Sequence, residues 1–297
     1  MNTCFKSNGN NTAPEGLERH PCFSARAHNK FGRIHLPVSP ACNIQCRFCK
    51  RGFNKWEIRP GVAASLIKPE KAVKIVERAR RVCPELTVVG IAGPGDPLAT
   101  DHALTALKLV HERFPDLILC LSTNGLDLPE KAEEVAAVGV KALTVTVNSV
   151  NSRILAHICA HVRQNGLNLT GEEGARRLIA AQLEGIKKMV RLGVVVKINT
   201  VLIPGINDMN IKDIARTVSR AGASMINIIP LIPQFEMASL RPPTAEELKK
   251  AQDEAEEYLS VFTHCRQCRA DACGVPGTGK DYGLELYGRV APTFSHG

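Results

Sequence analysis

The chain has 297 residues, 44% hydrophobic and 23% charged, with a formal net charge of +9, enough for one large α/β domain or two small ones around a sizeable core. No apolar run approaches the roughly eighteen residues of a membrane span, and the polar start lacks a signal peptide's apolar segment, which excludes a membrane protein and leads us to expect a cytoplasmic one. The basic residues are scattered over helical stretches and only 4% of the chain is aromatic, so base stacking has little to build on and nucleic acid is not an expected partner, whereas anionic clusters and acidic proteins suit the charge.

Residues 1–19, with Asn8, Gly9, Asn10 and Asn11 in a row, read as a flexible arm. Beyond them β-rich runs over 33–38, 86–92, 117–123, 142–147, 194–201 and 225–231 alternate with amphipathic helical patterns over 68–81, 102–114, 129–138, 172–192, 209–221 and 244–259. Six βα units predict a parallel sheet with helices outside, a partial (βα)6 TIM-like barrel whose reactive groups sit at the C-terminal strand ends. Residues 148–171 are the least regular interior stretch and read as a lid or an insertion. The stretch after Cys273 is rich in glycine and proline and reads as a mobile loop.

Eleven cysteines are many for a reducing compartment, where structural disulfides are not expected, and they cluster as metal ligands do. Cys42, Cys46 and Cys49 directly follow the first strand. Three thiolates on one short loop hold three irons of a [4Fe-4S] cluster and leave the fourth open to a small molecule. A zinc loop is the competing reading, but zinc takes four protein ligands in closed sites. This spacing, with Phe48 before the third cysteine, resembles the radical S-adenosylmethionine (SAM) superfamily. The resemblance implies that SAM chelates the open iron and is cleaved reductively to a 5′-deoxyadenosyl radical, so that Cys42, Cys46 and Cys49 are the catalytic cysteines.

Gly93, Pro94, Gly95 and Asp96 end the second strand, where such proteins place a glycine-rich segment against the SAM amino group; a simple turn is the alternative. Ser122 and Asn124 end the third strand and Asn148 the fourth, where they could bind ribose or carboxylate, or serve only as turn residues. Ile203, after the fifth strand, is a candidate to line the adenine. Cys265 and Cys268 form a C-x2-C pair that follows the last long helix rather than opening one, which favours cluster ligation over thioredoxin-like redox chemistry.

HPC at 20–22, RIHLP at 33–37, CNIQC at 42–46, RPG at 59–61, AGPGDP at 92–97, LCLSTNG at 119–125, IPGIND at 203–208 and HCRQCRADA at 264–272 together resemble the NifB family. That resemblance implies a radical SAM core over 20–262, with its N-terminal cluster-ligand segment, and a cluster-binding tail over 263–297. It implies two further [4Fe-4S] substrate clusters, fused with a SAM-derived carbide and an added sulfur into the eight-iron precursor of the nitrogenase cofactor by a lyase-type maturase. Cluster donors, a reductant such as ferredoxin or flavodoxin, and a downstream cofactor carrier are the implied partners. Cys22, Cys265 and Cys268 match the ligands of one substrate cluster and Cys120 a ligand of the other; His20, His35 and Glu57 are nearby auxiliary candidates. By the bland reading, Cys120 is a packed core thiol and His35 a satisfied core histidine.

The chain departs from the family where a further cysteine usually follows the triad: Asn54, Lys55 and Trp56 stand there instead. Cys273, where an apolar residue is usual, is the thiol available to replace it. Cys4, Cys83 and Cys159 have no family counterpart and are expected to be structural or incidental. Two other functions fit the residues: a radical SAM enzyme acting on an organic molecule with an auxiliary cluster, and a non-catalytic iron–sulfur carrier.

Overall fold

The computed structural model describes residues 13–265 and 267–287; Cys4, most of the expected arm, Arg266 and residues 288–297 lie outside them. Six strands frame the fold: β1 (Gly32–His35), β2 (Leu86–Ile91), β3 (Ile118–Thr123), β4 (Val140–Thr146), β5 (Val195–Leu202) and β6 (Met225–Pro230). They pair in chain order and in parallel. A helix follows each in turn: α1 (Ala72–Val82), α2 (His102–Arg113), α3 (Leu128–Ala137), α4 (Gly171–Arg191), α5 (Ile211–Arg220) and α6 (Ala245–Glu256). This singly wound order is that of an opened (βα)6 barrel.

The pleat explains how one sheet serves two purposes, because successive side chains point to opposite faces. Val89, Leu121, Val145 and Ile198 point outward into one core with the helices, while Gly90, Cys120, Ser122, Thr144, Lys197 and Asn199 line a single inner cavity. The helices answer with apolar stripes: α1 buries Ala72, Ile75, Val76 and Ala79, and α5 buries Ile211, Ile214, Ala215 and Val218, each at the i, i+3, i+4, i+7 spacing of one helical face. A capping box between Thr244 and Glu247 starts α6, satisfying donors that a helix N-terminus otherwise leaves free.

The N-terminal stretch departs from the expected arm. Leu17 and Phe23 are fully buried against Ala142, Met225 and Phe262 at the N-terminal strand ends, so residues 13–31 plug the barrel floor. Burial of each such side chain stabilises by about 1.5–3 kcal/mol, so Leu17 anchors a stretch whose other residues from 15 to 19 are exposed. Thr87 Oγ1 adds a hydrogen bond to the Arg19 carbonyl at 2.7 Å.

The tail is likewise tied down where it is described. Cys273–Gly274 pairs antiparallel with β1, a short helix follows at Gly283–Tyr287, and the Tyr287 hydroxyl donates to the His35 carbonyl. Residues 148–171, read as a lid or insertion, contain a short helix (Ser152–Ile158) and a hairpin of Cys159–Gln164 with Leu167–Thr170. The first hairpin strand pairs antiparallel with Ile44–Cys46, so this stretch braces the cysteine loop.

Candidate active site

Cys42, Cys46 and Cys49 all face the cavity at the C-terminal ends of the strands, and their loop is held by a dense local set of hydrogen bonds. Gln45 Nε2 donates to the Cys46 and Cys49 carbonyls at 2.9 and 3.0 Å, and the Arg47 amide donates to the Ile158 carbonyl at 2.8 Å. From behind, the Gly95 and Asp96 amides donate to the Ser39 and Ala41 carbonyls at 2.9 and 2.8 Å. A Cβ on Gly95 would lie 2.0 Å from the Ala41 oxygen, so only glycine permits this approach. Burial pushes the Cys42 thiol up to about 12 and raises Cys46 and Cys49 as well. Such thiols stay protonated until a metal displaces the proton.

Around the triad the polar groups are mostly committed. Asp96 is buried and accepts from the Leu98 amide (2.9 Å), the Thr123 hydroxyl (2.9 and 3.0 Å) and the Asn124 amide (2.6 Å); burial nonetheless pushes its carboxyl up to about 6. Asn124 Nδ2 donates to Asn43 Oδ1 at 2.7 Å and lies 3.8 Å from Cys42 Sγ. Asn148 Oδ1 accepts from the Val201 amide at 2.9 Å. These residues line the cavity together with Phe48, Gly95 and Ser122. Gly93, Ile203 and Glu57 do not. Gly93 sits behind the loop with φ +127°, Ile203 is buried with Leu126 and Leu231, and the Glu57 carboxylate is taken by Asn54 and Arg59. It is Val201, two residues before Ile203, that reaches the cavity.

At the other end of the same cavity, of about 340 Å³, stand Cys22, Cys120, Cys265 and Cys268 with His20 and His35. They come from the floor plug, β3, β1 and the tail. Burial pushes the thiols of Cys22 to about 11 and Cys120 to about 12. Since only a ring N–H can donate to a carbonyl, the 3.0 Å contact of His35 Nδ1 with the Arg269 carbonyl places the proton on Nδ1; burial, then Arg33, lowers this imidazole to about 4, so Nε2 keeps a free lone pair. His20 is the opposite tautomer: its Nδ1 accepts from the Cys22 amide at 3.1 Å, leaving the proton on Nε2.

Among the described residues no three Cys, His, Asp or Glu side chains converge closely enough to hold one metal ion. A zinc site needs that convergence, with sulfur about 2.3 Å from the metal; a cubane cluster does not, because each thiolate takes its own iron. The triad's donor set and orientation therefore fit a [4Fe-4S] cluster with one open iron.

The pattern of the Radical SAM superfamily matches residues 36–218. The chain is 48% identical over 258 residues to the FeMo cofactor biosynthesis protein NifB of Methanocaldococcus jannaschii, covering 86% of each. It is 46% identical over 266 residues to the Klebsiella pneumoniae protein of that name, covering 87% of this chain and 57% of the relative. The chain belongs to the NifB family of radical SAM proteins. Membership implies SAM and a [4Fe-4S] cluster as cofactors. The fold agrees: Streptococcus suis SuiB superposes with a TM-score of 0.58 at 15% identity, over 82% of this chain and 52% of that one.

Against that family frame, two thiols stand where the sequence did not put them. Cys273 does not replace the family's missing cysteine. Its register partner is Ile34, and it is buried in the core beneath the helices, on the face of β1 away from the cavity. The stretch bearing Asn54 is locked elsewhere: Arg269 donates to the Asn54 and Glu57 carbonyls at 2.8 and 2.6 Å while its guanidinium pairs with buried Asp271 at 2.8 Å. Cys159, expected to be incidental, lines the cavity and is the direct strand partner of Cys46. The signal for it was present: Asn165 and Gly166, with φ of 52° and 77°, are the two-residue turn that marks a hairpin between alternating strands.

Proposed function

We propose that this protein is a radical SAM maturase that joins two [4Fe-4S] units with a SAM-derived carbon and an added sulfur into an eight-iron precursor of the nitrogenase cofactor. The observation that carries the reading is one cavity with thiols at both ends, the triad at the strand C-termini and Cys22, Cys120, Cys265 and Cys268 at the floor. When bound, the triad's cluster would supply the electron that cleaves SAM to a radical able to remove hydrogen from carbon.

The chain's own residues do the rest. Gly95 lets the second-strand loop press against the cysteine loop, Asn124 stands beside Cys42, and Ser122 and Asn148 offer polar groups to SAM. The floor thiols, with the His35 Nε2 lone pair, present iron substrates to the same cavity. The plug of Leu17 and Phe23 excludes water from below, which a radical intermediate requires. We further propose that the protein works in the cytoplasm with iron–sulfur donors, a ferredoxin- or flavodoxin-type reductant and a carrier that accepts the product.

Anaerobic protein reconstituted with iron and sulfide, given SAM and reductant, is expected to form both 5′-deoxyadenosine and S-adenosylhomocysteine, the second reporting methyl transfer. Cys46→Ala is expected to abolish both while retaining floor iron. Deoxyadenosine without S-adenosylhomocysteine, in the presence of a full iron complement, would point instead to an organic substrate with an auxiliary cluster.

A further inference from the structure

Two cations are buried in the floor with no carboxylate paired directly to them among the described residues, although Asp281 acts on Arg33 from a distance. Lys197 on β5 is 4% exposed and Arg33 on β1 is 6% exposed. Lys197 Nζ donates to the Cys22 carbonyl at 2.8 Å and lies 4.5 Å from the Phe23 ring centre and 5.1 Å from that of Phe262. Arg33 donates to the Gly274 carbonyl at 2.7 Å and to Cys268 Sγ at 3.1 Å. Among the described residues neither forms an ion pair with a carboxylate, whereas Arg269, equally buried, has Asp271. A buried charge left uncompensated is strongly unfavourable.

The unpartnered atoms at this end have the same character. Arg33 Nε and His20 Nε2 are both buried and without a hydrogen-bond partner, and both carry N–H. The floor therefore holds an ammonium, a guanidinium and two free donors, and what it lacks is a negatively charged acceptor. Iron–sulfur clusters held by thiolates are anionic and expose sulfides that accept hydrogen bonds, and such contacts set their potentials.

We infer that Arg33 and Lys197 are the counter-ions of the substrate seat: they hold an anionic iron–sulfur cluster by charge and by N–H···S contacts beside Cys268 and Cys22. This rests on the reading of the floor as a substrate-cluster site. Arg33 acts beside Cys268 and Lys197 from the opposite strand beside Cys22, so the seat selects for negative charge as well as for thiol ligation. Both are positioning residues.

The test uses full-length protein in which Cys42, Cys46 and Cys49 are replaced by alanine, so that bound iron reports the floor. After anaerobic loading with iron and sulfide, Lys197→Met and Arg33→Met are each expected to release iron to a chelator about tenfold faster than the parent, and Lys197→Arg at close to the parent rate. The midpoint potential of the floor cluster is expected to fall in the two neutral variants, because a nearby cation favours the more negative reduced state; a residue that only supports the fold would not move it. Unchanged release and potential in both neutral variants would overturn the inference. Should Lys197→Met not fold by circular dichroism, Arg33→Met and Lys197→Arg decide alone. Cys22→Ser with Cys268→Ser addresses the underlying reading separately: undiminished floor iron there would remove the seat itself.

Discussion

The two ends of the cavity are built in opposite ways. At the mouth, three cysteines lie within one short loop, fixed by the Gln45 side chain, by backbone hydrogen bonds and by the close approach of Gly95. At the floor, the thiols come from the plug, the third strand and the tail, segments joined only by the fold. The mouth depends on local geometry. The floor depends on every element that closes the barrel, and its buried cations, unlike Arg59 at the mouth with Glu57, form no ion pair with a carboxylate among the described residues.

Gly95→Ala should break the mouth and spare the floor. A methyl 2.0 Å from the Ala41 oxygen forces the cysteine loop to move, and displacement by about 1 Å at a reacting centre can lower rates by about a hundredfold. SAM cleavage should fall by that order while floor iron, counted in the same preparation, stays constant. Equal loss at both ends would show that the two are not independent.

Arg269→Met should do the reverse in kind, because this residue ties the stretch after the triad to the tail. Removing one partner of a buried ion pair costs about 3–5 kcal/mol, so denaturant unfolding should show a loss of that order, and Cys265 and Cys268 should lose iron before the triad does. Unaltered stability would mean that the Asp271 pair does not hold the tail.

The smallest effect concerns protons. His35 titrates at about 4 in the fold against an ordinary 6.5, so its neutral form is the one the fold accepts. The stability it carries is complete above about pH 6.5 and is lost as pH falls toward 4, by about 3 kcal/mol. Metal-free protein should therefore melt earlier across that window, and His35→Gln should flatten the dependence. An identical pH profile in the variant would place the acid sensitivity elsewhere.

This division between mouth and floor also governs how much could be read from the sequence. Six strands and six helices follow from alternation and helical periodicity, because each segment carries its own pattern. The triad is legible for the same reason. Leu17 reads as part of a polar arm because its partners Met225 and Phe262 are remote in the chain. Cys273 looks like a spare ligand until the pairing with β1 turns its side chain into the core. Ile203 lies just past the end of β5, where the strand alternation that aims Val201 at the cavity stops, and the Glu57 carboxylate is taken by Asn54 and Arg59; spacing decides neither. Conversely, the hairpin that sets Cys159 beside Cys46 was available in the Asn165 and Gly166 turn.

The most direct test of two separable cluster ends in one cavity is anaerobic iron counting on three proteins in parallel: the unaltered chain, the variant lacking Cys42, Cys46 and Cys49, and Cys268→Ala. We expect about twelve irons in the first, about eight in the second and about eight in the third, with SAM cleavage retained only in the first and third. Loss of all iron in the triad variant, or no loss in Cys268→Ala, would contradict the account.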